Sequence, residues 1–228
     1  MYHENFETDP GGWYGWISNT GGPKGLEWKP GQVTSRGPWW IDYNHAPPGA
    51  GYMHMVFCMA TKGPQGEAYM DVSGVNRFIG QGCPTDLTNA KLTARVSGEL
   101  TEQGAKLMML IQGSVEGITS GWLTTGQPIS VTDSSTEQTI NLEPDLAKWT
   151  PLGVRQGRED MYGEKPLERV LANVDVNIML VLFPLDVAPM GSIDGDPHTL
   201  RPERDYPVWR HRLPEGYVNL EEVKMDFA

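Results

Sequence analysis

A chain of 228 residues, 39% hydrophobic and 21% charged, is long enough to bury a full core and too apolar to stay disordered. Its formal net charge of −11, with no cluster of Lys and Arg to offset it, makes DNA or RNA an unfavourable partner. The 27 glycines and 18 prolines break the sequence into short segments, which argues against long helices.

The opening Met1–Glu7 has neither a basic n-region nor an apolar h-region. That fits a cytoplasmic protein, or a secreted or periplasmic one whose leader is removed. The first 40 residues hold Trp13, Trp16, Trp28, Trp39 and Trp40, five of the eight tryptophans. Residues 37–52 follow, with Trp39, Trp40, Asp42, Tyr43, Asn44, His45 and Tyr52 between Pro/Gly turns. Rigid turns of this kind reduce the entropy lost when a loop is ordered around a ligand. Sugar rings stack on exposed indoles, so Trp39 or Trp40 is the expected platform. Asp42, Asn44 and His45 supply a carboxylate, an amide and an imidazole for hydroxyl groups or for acid–base work.

Strand signals come next, with side chains alternating between two faces. In Gly51–Met59 the alternation places Met53, Met55, Phe57 and Met59 on a core face, and Tyr52, His54, Val56 and Cys58 on the other. Lys91–Val96, Lys106–Gln112 and Thr136–Leu142 read as further strands. Pro144–Trp149 reads as a turn, and Pro166–Ala172 as one short helix with proline in its first turn. Val174–Leu182 and Val218–Phe227 are again strands, separated by a Pro-, Gly- and Asp-rich loop over Val187–Pro207. The longest apolar run, Asn177–Phe183, is far shorter than the ~20 residues that span a bilayer, so no membrane partner is expected. The pattern predicts one domain over residues 1–228, an all-β antiparallel jelly-roll β-sandwich with one short helix.

The outward positions of these strands define a predicted polar groove: Tyr52, His54, Arg95, Gln112, Asp175 and Asn177. Asp194-Gly195-Asp196 offers two carboxylates, but the EF-hand pattern is absent. Cys58 and Cys83 have no metal-binding spacing, and Cys58 reads as a buried free thiol, with a single Cys58–Cys83 disulfide as the alternative. The nucleophile elbow, the P-loop and the zinc-protease helix are all missing.

Asn5-Phe6-Glu7 followed by Gly11-Gly12-Trp13 resembles the first strand of carbohydrate-binding-module jelly rolls. The terminal Glu221-Glu222-Val223-Lys224-Met225-Asp226 resembles the acidic last strand of the same domains. The resemblance covers these edges only. It implies that the two segments lie side by side, and it implies a structural calcium held by Glu7, Asp226 and backbone carbonyls.

Taken together, the expected partner is a sugar or polysaccharide, recognised by aromatic stacking in a lectin-like manner. The alternative is a small polysaccharide lyase or glycoside hydrolase in which His45, His54, Tyr52 and Asp42 are the acid–base groups. A third reading makes the tryptophan cluster a buried plug in a structural domain. The oligomeric state is not legible.

Overall fold

The computed structural model describes residues 1–42, 45, 49–155 and 157–228. The chain forms the antiparallel β-sandwich that the alternating patterns predict. In chain order the strands are β1 (Tyr2–Glu4), β2 (Trp13–Ser18), β3 (Gly22–Lys24), β4 (Glu27–Lys29), β5 (Gln32–Arg36), β6 (Ile41–Asp42) and β7 (Met53–Ala60). After three short helical turns, α1 (Gln65–Ala68), α2 (Met70–Ser73) and α3 (Arg77–Gly80), come β8 (Lys91–Thr101), β9 (Lys106–Val115), β10 (Ile118–Leu123), β11 (Thr136–Asn141) and β12 (Thr150–Pro151). The short helix α4 (Leu167–Leu171), expected from its proline, precedes β13 (Asn177–Phe183) and β14 (Glu215–Asp226).

One sheet has the order β11-β8-β14-β5-β4, with β1 also on β14, and the other has β12-β10-β9-β13-β7-β2-β3, with β6 also on β7. First and last strands therefore meet, Tyr2 opposite Met225 and Glu4 opposite Val223. The Asn5-Phe6-Glu7 segment is not part of that strand. It turns the chain out of β1, with Phe6 buried at φ 58°. Its companion glycines have a steric reason: Gly12 lies at φ +95°, and a Cβ there would come within 2.6 Å of the Asn76 Cα. Beneath the turn the buried Glu4 accepts the Phe6 N–H at 2.8 Å and pairs with Arg77.

The main core lies between the sheets. It joins Leu92, Ala94, Val96, Val218, Leu220, Val223 and Met225 of one sheet to Leu107, Met109, Ile111, Ile178, Leu180 and Leu182 of the other. The second sheet is also apolar on its outer face, where Met108, Leu110, Met179, Val181 and Phe183 form a separate cluster with Tyr14, Met53 and Cys58. Burial on both faces explains why β9 and β13 read as nearly continuous hydrophobic runs.

A bulge in β7 overturns the predicted face assignment over Met53–Val56, while Phe57 and Met59 face the core and Cys58 the other side as expected. Phe57 pairs with Leu180 and Met55 with Val181, so Val56 is an extra residue. One extra residue inverts every side chain beyond it. Met53 and Cys58 thus share the outer cluster with Met55 packed on it, while Val56, Phe57 and Met59 enter the inter-sheet core. His54 goes inward with them and is fully buried, its ring centroid 5.9 Å from that of Trp39. Strand β14 carries the same device: Leu220 pairs with Val96 and Glu222 with Arg95, leaving Glu221 as the extra residue.

Candidate ligand-binding site

The outer face of the larger sheet ends in a cavity of about 150 Å3. Its floor comes from outward strand positions: Tyr14 and Trp16 of β2, Met55 and Cys58 of β7, Gln112 of β9, and Asn177 and Met179 of β13. Its walls come from connections: Asp42 at the end of β6, His45, Tyr69 between α1 and α2, and Arg155 and Tyr162 from the segment after β12. A single water needs only about 10–15 Å3 by this kind of measure, so the space suits a ring-sized ligand.

Three rings form one aromatic wall. Tyr14 meets Tyr69 edge-on at 5.1 Å between centroids, and Trp16 lies 6.1 Å from Tyr14 and 6.3 Å from Tyr69. Across the site the Arg155 guanidinium sits 4.6 Å over the Tyr162 ring, a cation–π contact. The His45 Nε2 is 3.7 Å from the Asp42 carboxylate, and both side chains are buried. Burial pushes the His45 pKa below its usual value. The Asp42 charge opposes that shift, and the Arg155 charge adds to it. Burial also raises the Cys58 thiol, helped by Asp42, so Cys58 is an inert thiol. Burial likewise holds Tyr14 as a neutral phenol.

The most informative feature is hydrogen-bond accounting. Among the described residues seven buried side-chain nitrogen or oxygen atoms have no hydrogen-bond partner, and four of them belong to this cavity: Trp16 Nε1, His45 Nδ1, Arg155 Nε and Asn177 Oδ1. Each such atom costs about 1–3 kcal/mol when left unpaired. Four in one place mark a site shaped for a polar ligand.

An adjoining cleft of about 280 Å3 shares Asn19 with the cavity and is lined by Ser18, Thr20, Trp40 and Arg201–Arg204. These last residues come from the Pro/Gly/Asp-rich loop over residues 187–207. The outer face of the smaller sheet offers a contrast. Trp28 is 41% exposed there beside Tyr217, Gln32, Thr34 and Asn219. Its polar groups are already satisfied by one another: Asn219 accepts from Thr34 at 2.7 Å and from Gln32 at 3.1 Å, and donates to Ser97 at 3.0 Å. Among the described residues, none that lines this pocket carries a buried side-chain atom without a hydrogen-bond partner.

The predicted groove is therefore divided. Asp42, His45, Gln112 and Asn177 are brought together in the cavity, and Trp40 stands in the adjoining cleft. Trp39 is not a platform. It is buried, and its indole N–H donates to Ser35 Oγ at 2.9 Å. His54 is turned into the core by the bulge, with Nδ1 3.0 Å from the Trp40 carbonyl. Tyr52 packs on the inter-sheet core and hydrogen-bonds Tyr206. Arg95 lies on the other sheet, 2.7 Å from Glu222. Asp175 accepts the Ser114 N–H at 2.8 Å, a structural bond at a strand end. Asn44 lies outside the described residues. Glu7 and Asp226 are exposed, and among the described residues no group of three or more His, Cys, Asp or Glu is placed to hold a metal. Cys58 and Cys83 are both free.

Sequence reasoning passed over Tyr69, Arg155 and Tyr162. They lie in irregular segments with no periodicity, and only their shared enrichment in glycine and polar residues marked those segments as loops. No protein-family model matches the chain, and no curated protein and no solved structure matches it.

Proposed function

We propose that the protein binds a carbohydrate, with one sugar ring in the cavity and a neighbouring ring in the cleft beside Trp40. The observation that carries this reading is the convergence of four unpartnered polar atoms in an aromatic-walled cavity. A sugar suits such a site because its hydroxyls donate and accept while its C–H face packs on a ring. Trp16 Nε1 donates to a hydroxyl oxygen, and Asn177 Oδ1 accepts from a hydroxyl. The jelly-roll-like edges at Gly11-Gly12-Trp13 and Glu221–Asp226 support the same reading.

A glycan array followed by calorimetry on the hits tests it. Trp16→Ala is expected to weaken binding about tenfold, from ~1–3 kcal/mol per stacked ring, and Asn177→Ala by a smaller factor. Absence of any glycan binding by the parent, or parent-like affinity in both folded variants, would overturn the reading.

The Asp42–His45 pair favours a second reading, an acid–base enzyme of the lyase or glycosidase type. A carboxylate beside one imidazole nitrogen leaves the other to take a proton, with Asp42 holding the ring in place. His45→Gln is then expected to abolish release of new sugar ends while the ligand still binds. Because burial lowers the His45 pKa, the base stays unprotonated at lower pH than an exposed histidine would. Activity should persist as the pH falls through the usual histidine range and disappear only below it. Turnover by His45→Gln equal to that of the parent would sink the enzyme reading and leave binding untouched.

A further inference from the structure

We infer that the saccharide is acidic, a chain of uronic acid units whose carboxylates are taken by Arg155 in the cavity and Arg204 in the cleft. The inference rests on the carbohydrate reading and names its ligand class.

The argument begins with charge. In a chain of net charge −11, carboxylates are plentiful and cations are scarce. Seven of the ten arginines accordingly pair with Asp or Glu: Arg36, Arg77, Arg95, Arg169, Arg201, Arg210 and Arg212. Among the described residues the other three, Arg155, Arg158 and Arg204, form no ion pair with a carboxylate. Arg158 is turned onto the Met161 sulfur at 2.7 Å. The remaining two line the two adjoining spaces that share Asn19.

Arg155 is the stronger case. Its Nε is buried and unpartnered, and the guanidinium is held from one side by the Tyr162 ring. Arg155 as a whole is only half-buried, but an N–H donor withdrawn from water without an acceptor carries a cost that is recovered when an anion accepts from it. The planar guanidinium fork matches a carboxylate through two parallel N–H···O bonds. Asp42 also lines the cavity, its carboxylate 3.7 Å from His45 Nε2. Two cationic seats in spaces that share Asn19 fit a repeating acid better than a single charged sugar.

Calorimetry with three sets of trisaccharides of matched linkage tests this: uronates, their neutral counterparts and sulfated neutral sugars. The parent should bind a uronate roughly tenfold or more tightly than its neutral counterpart, and its affinity should fall with salt. Arg155→Gln and Arg204→Gln should each reduce that preference and the salt dependence, lowering uronate affinity by a larger factor than neutral-sugar affinity. Arg155→Lys, which keeps the charge but not the fork, should restore part of it. Melting curves identify the folded variants. Equal affinity for uronate and neutral sugars, or an undiminished preference in Arg155→Gln and Arg204→Gln, overturns the acidic-ligand inference alone. A preference for the sulfated set replaces carboxylate with sulfate and also overturns it. Binding of none of the three sets removes the carbohydrate reading, and this inference with it.

Discussion

Replacing Trp39 with alanine should lower the stability of the fold by about 3–5 kcal/mol, the usual cost of removing a large aromatic side chain from a core. Trp39 is only 2% exposed, and it bridges the two layers. Its indole N–H donates to Ser35 of β5, in one sheet, and its ring lies against His54 of β7, in the other. Truncation opens a cavity between the layers and leaves the buried Ser35 hydroxyl without its donor. Trp39→Phe keeps most of the ring and loses the hydrogen bond, so a cost of roughly 1 kcal/mol beyond the shape change is expected. Urea unfolding measures both. Sugar affinity per folded molecule should stay that of the parent, because Trp39 lines neither the cavity nor the cleft. A Trp39→Ala protein with near-parent stability and no sugar binding would return Trp39 to the role of stacking platform.

The second large effect is acid sensitivity from His54. Burial lowers its pKa from 6.5 to about 4, and the Arg210 charge adds to this, while the hydrogen bond to the Trp40 carbonyl opposes it. That bond uses Nδ1–H and leaves Nε2 as an unpartnered lone pair inside the core. The unfolded chain therefore binds a proton at a higher pH than the folded chain does. No penalty exists above the unfolded value near 6.5. As the pH falls from there toward 4 the unfolded state gains relative stability, and below 4 the difference is complete. At 1.36 kcal/mol per unit, the full difference is about 3 kcal/mol. His54→Leu removes this titration, at the cost of leaving the Trp40 carbonyl without its donor. The variant should be less stable than the parent at neutral pH, yet its stability should fall less on acidification. Denaturant midpoints measured through that pH range for both proteins provide the check. An identical fall in parent and variant would show that His54 does not carry the effect.

These two residues also mark the boundary between local and tertiary information. Trp39 sits in the segment richest in chemistry-bearing side chains and His54 in the strand that follows it, and both looked like ligand contacts because that loop and the face of that strand beside it have no obvious structural use. The structure uses Trp39 and His54 as core and leaves Asp42 and His45 for the cavity. The deciding event is one extra residue in β7. Alternation along an isolated strand is a local rule, but the bulge at Val56 arises from how β7 pairs with β13, and no feature within residues 51–60 announces it.

The amino-acid sequence by itself determined the antiparallel sandwich, the short helix after Pro166 and the outward placement of Gln112 and Asn177. Those follow from periodicity, turn residues and charge, all of which act over a few neighbours. Only the tertiary structure decided which outward residues share a cavity and, among the described residues, that Arg155 forms no ion pair there and that four polar atoms have no hydrogen-bond partner. Ligand sites of this kind are assembled from side chains far apart along the chain. Tyr14 and Met179 meet only because β2 and β13 both lie against β7, and that placement is fixed by packing of the whole sheet rather than by any segment of it.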